Sequence, residues 1–574
     1  MHILSCIEKN PALLFITLPF IFACMPQQEG LEIQAASSAD VVLHNGIVLG
    51  EDWPPRYPEA ETPKAMVVPY LEAPPKEIPI NVGRQLFVDD FLIDSNSLER
   101  IFHKPTPVLQ NPILEPDRPW EAHSSGAPYA APFSDGVWFD DRFNKFRMWY
   151  LTGGGENSPE ARAFVTAYAE SDDGINWDKP ALGVVPGTNI VSLSPRDSST
   201  VWLDRNESDD SKRYKFFNVE FRRANIHTVQ WSMVLRYSED GLSWSEPAAR
   251  SGQIGDRSTV YFDPFRQKWI YSLRGSAFGQ RRRQYLESDD PELGVSLAHR
   301  LYDNAYDKYI YHWFNAWPHD TPHPDFPELT PAIYNHNAIA YESIMLGYFD
   351  VWNGPPNPVA RDLGIQKRNR TMIGFSRDGF HWTRPEASPF IGDNPVDGAW
   401  NWGNVQSVAG GPLIVGDKLY FYSRAARKND GFWDGYTSTG LFTMRRDGFA
   451  SVRAGEYSGS LTTRPITFDG LYLFVNANVR GELIIEMLDE EGDLIPGFRS
   501  KPISGDETKK LVEWESDEMI SSLIQQQVRI RFSLLEGDLY SFWVSPWTSG
   551  ESRGSLAGGG PGMNPSGWDR PASE

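Results

Sequence analysis

The stretch SEDGLSWSEP at residues 238–247 decides the fold, because the chain carries its frame three times. The frame of Ser, any residue, Asp, Gly, two residues, Trp, two residues and Pro recurs as SDDGINWDKP at 171–180 and SRDGFHWTRP at 376–385. Asp-Gly between two strand-like runs favours a tight hairpin, because Gly accepts positive φ and Asp hydrogen-bonds its own backbone. We therefore interpret the frame as a structural hairpin that repeats with the units of the fold.

Degraded copies of the frame and a second element in phase with it complete the repeat. ESDDPELG (287–294) and MRRDGFASV (444–452) bring the hairpin aspartates to five: Asp173, Asp240, Asp290, Asp378 and Asp447. Forms related to VWFD (137–140) precede each hairpin and carry aspartates that we interpret as turn formers: Asp140, Asp204, Asp263, Asp350 and Asp417. Five units of three or four antiparallel strands predict an all-β chain with a five-bladed β-propeller at 84–456.

The segments outside the repeat have patterns of their own. In VRIRFSL (528–534) apolar and polar residues alternate, which is typical of a half-buried antiparallel sheet, and residues 457–547 are predicted to form a small β-sandwich. Residues 24–83 are rich in proline and are predicted to form a linker or a strap on the body. Residues 548–574, rich in glycine, are predicted to be disordered.

The amino terminus predicts export. PALLFITLPFIFAC (11–24) is too short for a spanning helix and fits a signal peptide over residues 1–23. The segment that ends at Cys24 is similar to a bacterial lipoprotein box, in which Cys24 would be lipidated after cleavage. We expect a lipid-anchored protein in the periplasm or at the cell surface, with cleavage near Ala35 by an ordinary signal peptidase as the alternative.

Composition excludes several classes of protein. A formal net charge of −22 disfavours nucleic acid and anionic membrane surfaces as partners. The two cysteines both lie before residue 25, so no disulfide framework exists. Nucleotide-binding loops, serine-hydrolase elbows and metal-ligand spacings are absent from the sequence, so no cofactor is predicted, although structural calcium stays open. The 20 tryptophans favour a carbohydrate ligand, since flat rings stack on sugars; the sequence does not specify the oligomeric state.

Candidate catalytic residues come from aligning the inner strands. DSSTVWLD (197–204) and DRSTVYFD (256–263) place Asp197 and Asp256 at equivalent positions, and Glu342 precedes the next turn aspartate by eight residues instead of seven. Glycoside cleavage needs one protonated carboxyl group and one ionised one. We predict that Glu342 is the acid, Asp256 the nucleophile or base, and Asp197 an orienting group, with hydrogen bonding to local turns as the alternative role. Substrate contacts are predicted for one cation and two histidines: Arg257, His123 and His336.

The layout resembles the five-bladed glycoside hydrolases of families 32, 43 and 68, and NPILEPDRPWE (111–121) is similar to a segment of family 130, which contains mannoside phosphorylases. The hairpin frame resembles the Asp-box of sialidases with one residue fewer between Asp and Gly. The chain as a whole resembles exported bacterial proteins related to family 32, but it lacks that family's Trp-Met-Asn-Asp-Pro and Arg-Asp-Pro motifs. The resemblance implies a glycosidase acting on extracellular poly- or oligosaccharide. A non-catalytic carbohydrate-binding propeller and a family 130-like phosphorylase are the alternatives.

Overall fold

The computed structural model describes residues 41–572 except for 58–60, 123–127, 158–163, 183, 226–227, 302–306 and 429–435. The signal peptide, Cys24 and His123 therefore lie outside the described residues. Strands dominate, and helices are confined to three short α-helices and four 3-10 turns among the described residues. No helix in this part of the chain is long and apolar enough to cross a membrane.

The first described segment holds seven short strands and one helix. They are β1 (Val41–Val42), β2 (Val48–Leu49), α1 (Pro69–Glu72), β3 (Ile78–Pro79), β4 (Gln85–Leu86), β5 (Ile93–Asn96), β6 (Glu99–Phe102) and β7 (Thr106–Pro107).

Five antiparallel units follow one another along the chain. Unit 1 contains β8 (Ala131–Asp140), β9 (Lys145–Thr152) and β10 (Phe164–Ser171). Unit 2 contains β11 (Ile190–Leu203), β12 (Tyr214–Asn225), β13 (Thr228–Ser238) and β14 (Ala249–Arg250). Unit 3 contains β15 (Thr259–Asp263), β16 (Lys268–Ala277), β17 (Gln280–Ser288), α2 (Pro291–Leu297) and β18 (Tyr311–Phe314). Unit 4 contains β19 (Ala332–Glu342), β20 (Ile344–Trp352), α3 (Asn357–Leu363) and β21 (Asn369–Ser376). Unit 5 contains β22 (Gly403–Gln406), β23 (Leu413–Val415), β24 (Lys418–Arg427) and β25 (Tyr436–Arg445).

The remaining strands form a second body of sheet. They are β26 (Ala450–Ala454), β27 (Gly459–Thr463), β28 (Ile466–Thr467), β29 (Tyr472–Leu488), β30 (Leu494–Arg499), β31 (Ile503–Leu511), β32 (Arg529–Ser545) and β33 (Ser555–Leu556). The long strands β29 and β32 pair along most of their length, and β4, β5 and β6 from the first segment join the same sheet. This sheet encloses its own apolar core, separate from the core between the five units.

The first strands of units 1 to 4 lie side by side. β8 contacts β11, β11 contacts β15 and β15 contacts β19, while β24 of unit 5 returns to contact β8. The Ser198 hydroxyl donates to the carbonyls of Asp256 and Ser258, which keeps the starts of two first strands level. We call the edge where the first strands begin the near end and the edge where they finish the far end.

Strand β11 belongs to two units. Its first half pairs with β10, its second half pairs with β12, and the register breaks between Arg196 and Ser199. Asp197 sits at this break, where the chain leaves one unit and enters the next.

The three complete copies of the hairpin frame have the same geometry. In each copy the backbone N–H of the frame glycine (Gly174, Gly241 or Gly379) donates to the serine hydroxyl oxygen of the same frame, at 2.8–2.9 Å. These glycines have φ between 70° and 78°, a conformation that a side chain would strain. The carboxylate of each frame aspartate accepts a hydrogen bond from a backbone N–H of its own turn, at 2.8 Å in each copy. The structural interpretation of the frame is confirmed.

The structure corrects the prediction of a disordered tail, and it fits the strap that was predicted for the proline-rich segment. The tail is not disordered: β33 pairs with β19, and Gly558 and Gly559 accept bonds from Phe139 and Ile414 at the far end. Because glycine has no side chain, the tail backbone can approach the far end closely. A glycine-rich composition that is typical of disorder therefore forms an ordered segment packed on the far end. The proline-rich segment, from Val41 on, contributes buried side chains to the second core, so it is part of the folded body.

Candidate functional site

Asp197 and Asp256 meet at the near end, each at the point where its chain enters a first strand. Asp197 accepts a bond from the N–H of Ser198 at 2.8 Å, and Asp256 accepts one from the N–H of Arg257 at 2.9 Å. Both acids are partly exposed. The sequence alignment of these two strands therefore placed two carboxyl groups next to each other in space.

Cations surround Asp256. Arg274 forms a hydrogen-bonded ion pair with its carboxylate, and Arg281 Nη2 lies 3.3 Å from the same oxygen. Burial opposes ionisation, but Arg281 and Arg274 outweigh it and hold the pKa of Asp256 well below its usual range. Asp256 is therefore an ionised carboxylate throughout the physiological pH range.

Asp197 behaves in the opposite way. Burial and the negative charge of Asp256 raise the pKa of Asp197 above its usual range, and Arg257 and Arg281 only partly oppose this. Two neighbouring carboxyl groups whose pKa values are driven apart are the arrangement that supplies one proton donor and one anion.

Tyr334 and Lys367 complete this group. Lys367 Nζ donates to the Tyr334 hydroxyl at 2.9 Å, and the Arg281 guanidinium lies 4.1 Å from the centre of the Tyr334 ring. Burial would raise the pKa of Tyr334, but Lys367 and Arg281 reverse the effect and lower it. We call the following residues the cationic cluster: Asp197, Asp256, Arg274, Arg281, Tyr334 and Lys367.

Glu342 does not join the cationic cluster, so the predicted triad is corrected. Tyr334 lies near the start of β19 and Glu342 at its end, and eight residues of strand span about 26 Å. Glu342 has a φ of 53°, which marks a turn and not a strand interior. Its carboxylate accepts bonds from Arg446 at 3.0 Å, from the N–H of Arg84 at 3.1 Å and from Ser552 at 2.5 Å.

Glu342 was misplaced because the sequence comparison assigned Asp350 to the first strand of unit 4, whereas it lies in the second strand. Asp204 and Asp263 follow or finish the first strands of their units, whereas Asp350 lies inside the second strand of unit 4. Glu342, which finishes the first strand of unit 4, is therefore the true counterpart of Asp204 and Asp263. Asp350, predicted to be a turn former, is instead buried near the near end, with its carboxylate 3.9 Å from Arg257.

At the far end, Glu342 belongs to a second charged group. Arg84 donates to Asp447 at 2.9 Å, and Arg446 bridges Glu342 and Asp569 at 3.0 and 3.3 Å. Burial raises the pKa of Glu342, against the opposing effect of Arg446 and Arg84. All of these side chains are at least 91% buried. We call the following residues the buried cluster: Arg84, Glu342, Arg446, Asp447 and Asp569.

Arg257 and His336, the predicted substrate contacts, are both buried and packed against other residues of the protein. Arg257 is fully buried, donates to Ser407 at 2.6 Å and lies 3.6 Å from the centre of the Phe133 ring. His336 is fully buried among aromatic rings, 4.6 Å from that of Phe349, and burial lowers its pKa well below the usual range. Both residues support the near end from within.

Sequence reasoning missed the other cations of the near end. The run RRR at 281–283 contains Arg281 and Arg283, and this cluster of arginines could have indicated a cationic site. Lys367 carries no comparable signal, because it reaches Tyr334 from the loop before β21. Among the described residues, no group of three or more His, Cys, Asp or Glu side chains is arranged to hold a metal ion.

No family model matches the sequence, and no curated protein matches it either. Solved structures do resemble the chain. They include a protein of the glycoside hydrolase family 130 of mannoside phosphorylases, described with hydrolases that target β-1,2-mannosidic linkages in Candida mannan (12% identity, 62% of this chain, 96% of that chain, TM-score 0.39). A glycosyl hydrolase from Bacteroides ovatus has 12% identity over 63% of this chain and 96% of its own, with a TM-score of 0.38. The β-1,2-mannobiose phosphorylase from Listeria innocua has 13% identity over 59% and 96%, with a TM-score of 0.36.

The resemblance to glycoside hydrolase-like proteins, including family 130, is thus found among solved structures as well as in the sequence. The identities and TM-scores are too low to carry the role of any residue across to this chain.

Proposed function

We propose that this protein is a carbohydrate-active enzyme that cleaves glycosidic bonds at the near end. We further infer that the five units are the blades of a five-bladed propeller and that the sheet built on β29 and β32 is the predicted β-sandwich. The polar end of such a propeller, where first strands begin, is a natural place for a site because several strands deliver side chains to one point.

The observation that carries the proposal is the geometry of the carboxyl pair: Asp197 and Asp256 lie where adjacent first strands begin, and, in the described part of the chain, Arg274 and Arg281 contact Asp256 alone of the two. The opposite directions of their pKa shifts agree with this geometry. In this proposal Asp197, not Glu342, is the acid: it donates its proton to the glycosidic oxygen as the bond from that oxygen to the anomeric carbon breaks. As this bond breaks, Asp256 either attacks the anomeric carbon, forming a glycosyl–enzyme ester that water then hydrolyses, or removes a proton from a water molecule that attacks the same carbon. Arg274 and Arg281 keep Asp256 ionised for this step.

A family 130-like phosphorylase is the second candidate, favoured by one observation. Arg274, Arg281 and Lys367 gather cations where phosphate could replace water as the nucleophile. The two enzymatic candidates share Asp197 as the acid and differ in whether inorganic phosphate is consumed.

The test is to incubate the purified protein with a panel of polysaccharides, with and without inorganic phosphate. We expect new reducing ends without phosphate for a hydrolase and phosphate-dependent sugar phosphate for a phosphorylase. Asp197→Asn should abolish either activity, because both candidates use Asp197 as the acid, and Asp256→Asn should abolish hydrolysis. If the wild-type protein binds glycans in this panel but cleaves none under either condition, the non-catalytic binding propeller is the better assignment.

We also propose that residues 1–23 are removed on export and that Cys24 carries the lipid anchor. The motive is the short apolar run before Cys24. In cells, Cys24→Ser should abolish labelling by a fatty-acid analogue and move the protein to the soluble fraction. A Cys6→Ser variant is the matched control. A Cys24→Ser protein that is still labelled would contradict lipidation at this residue.

A further inference from the structure

A cavity of about 500 Å³ opens beside the carboxyl pair. Its lining includes two cationic side chains, a phenol and two aromatic walls: Arg281, Lys367, Tyr334, Phe278 and Trp352. Given the proposed function, on which this step rests, we propose that the cavity binds a sugar unit that carries an acidic group, either a carboxylate or a sulfate ester.

Charge imbalance at the near end is the first support. Five cationic side chains and three carboxyl groups interact around the carboxyl pair: Arg257, Arg274, Arg281, Arg283 and Lys367, against Asp197, Asp256 and Asp350. The neighbouring Arg196 and Asp135 form an ion pair and add no net charge. The whole chain has a net charge of −22, so a local excess of positive charge runs against the trend of the molecule. An anionic ligand would relieve the repulsion among these cations.

The second support is that the cations divide into two kinds. Arg257 and Arg283 are fully buried, and the protein's own oxygen atoms accept their bonds. Arg274 and Arg281 keep 28% and 15% of their side chains exposed. Guanidinium groups recognise carboxylates and sulfates through paired N–H donors. Arg281 lines the cavity and is partly exposed, so its guanidinium can meet an acidic group there.

The third support is the size and lining of the cavity. A volume of about 500 Å³ is in the range of cavities that hold small organic ligands and is far larger than a single inorganic ion requires. Phe278 is 43% exposed, and its ring can stack on a sugar face while Arg281 and Lys367 bind the acidic substituent. The lining therefore fits an acidic sugar better than free phosphate.

The experiment compares acidic polysaccharides with neutral counterparts of the same backbone. The probes are polygalacturonate with its carboxyl-reduced form, and κ-carrageenan with its desulfated form, tested for retardation of the intact protein in affinity gels. Arg281→Gln and Lys367→Gln each remove one cation of the cavity. Lys268→Gln is the matched control, because Lys268 pairs with Asp289 on the surface away from the cavity.

We expect at least one acidic polymer to bind about tenfold or more tightly than its neutral form, a difference of one decade in Kd. Arg281→Gln and Lys367→Gln should abolish this preference, Arg281→Lys should restore part of it, and Lys268→Gln should keep it. The carboxylate and sulfate probes separate the two sources of the acidic group.

Equal binding of both acidic polymers and their neutral forms would overturn the inference. So would an acidic preference that survives both Arg281→Gln and Lys367→Gln, because the attraction would then lie elsewhere. Saturable binding of inorganic phosphate by calorimetry without any acidic preference would assign the cations to a phosphate co-substrate. The proposed function fails separately: acidic glycans that bind but are never cleaved contradict the enzyme, while cleavage of neutral glycans alone contradicts only this inference.

Discussion

Strand β19 runs from the cationic cluster to the buried cluster. Both clusters combine carboxylates with cations, but they differ in burial and in charge balance. The cationic cluster near its start is partly exposed, and positive charge is in excess. The buried cluster at its end is almost completely enclosed, and its three carboxylates, with two arginines, also bond to hydroxyl and backbone groups.

The difference teaches what separates a working site from a structural one. In the buried cluster each acid already has several partners, so no group is left to act on a ligand. Its members come from distant parts of the chain, and they hold the first segment and the tail against units 4 and 5. In the cationic cluster the acids are accessible and their pKa values are displaced in opposite directions, which is typical of catalytic pairs.

The largest expected effect is on turnover. Asp256→Asn removes the nucleophile or base and should lower turnover about 10²–10⁴-fold, with little change in the free energy of unfolding because the site is partly exposed. Asp397→Asn, which alters a surface pair with Lys428, is the matched control and should leave turnover unchanged. If Glu342→Gln abolished turnover of the folded protein while Asp256→Asn did not, the roles of the two clusters would be reversed.

The buried cluster should respond through stability. Arg84→Met leaves the buried Asp447 without its main cation and should lower the free energy of unfolding by about 3–5 kcal/mol. Arg453→Met is the control, because Arg453 is 43% exposed in its pair with Asp538. Urea unfolding gives the free energy, and turnover per folded molecule should stay the same. An unchanged urea midpoint for Arg84→Met would show that the buried cluster does not stabilise the fold.

The hairpin frames provide a reference away from both clusters. Trp382 is fully buried, and Trp382→Ala should destabilise by about 3–5 kcal/mol. Trp244 occupies the same frame position but is only partly buried, so Trp244→Ala should cost less. Neither variant should alter the glycan preference of the folded protein. Equal thermal shifts for the two variants would mean that burial does not set the contribution of this tryptophan.

The smallest expected effect is a shift of the pH profile. Activity requires Asp256 ionised and Asp197 protonated, so it should rise with pH through the lowered pKa of Asp256 and fall through the raised pKa of Asp197. Arg281 lowers the pKa of both acids, so Arg281→Gln should move both limbs to higher pH. Lys268→Gln should leave the profile in place. Limbs that move in opposite directions, or only one that moves, would contradict the assignment of the two acids.

The sequence alone determined the features that depend on local pattern. Repetition of Ser, Asp, Gly and Trp at fixed spacing specified three hairpins, because a turn is set by a few adjacent residues. The match of DSSTVWLD to DRSTVYFD predicted that Asp197 and Asp256 lie close together, because both segments lead into a first strand in the same way. The all-β class followed from the same repeats.

Only the tertiary structure decided what depends on residues far apart in the chain. A spacing of eight residues could not show that Glu342 finishes a first strand while Asp350 lies in the second, since strand boundaries depend on pairing with β20. The ion pairs of Glu342 join it to Arg84 and Arg446, which are 258 and 104 residues away. Arg281, Tyr334 and Lys367 likewise converge from separate segments. Burial and charge balance decide whether an acid supports the fold or can act on a ligand, and both arise only when the chain has folded.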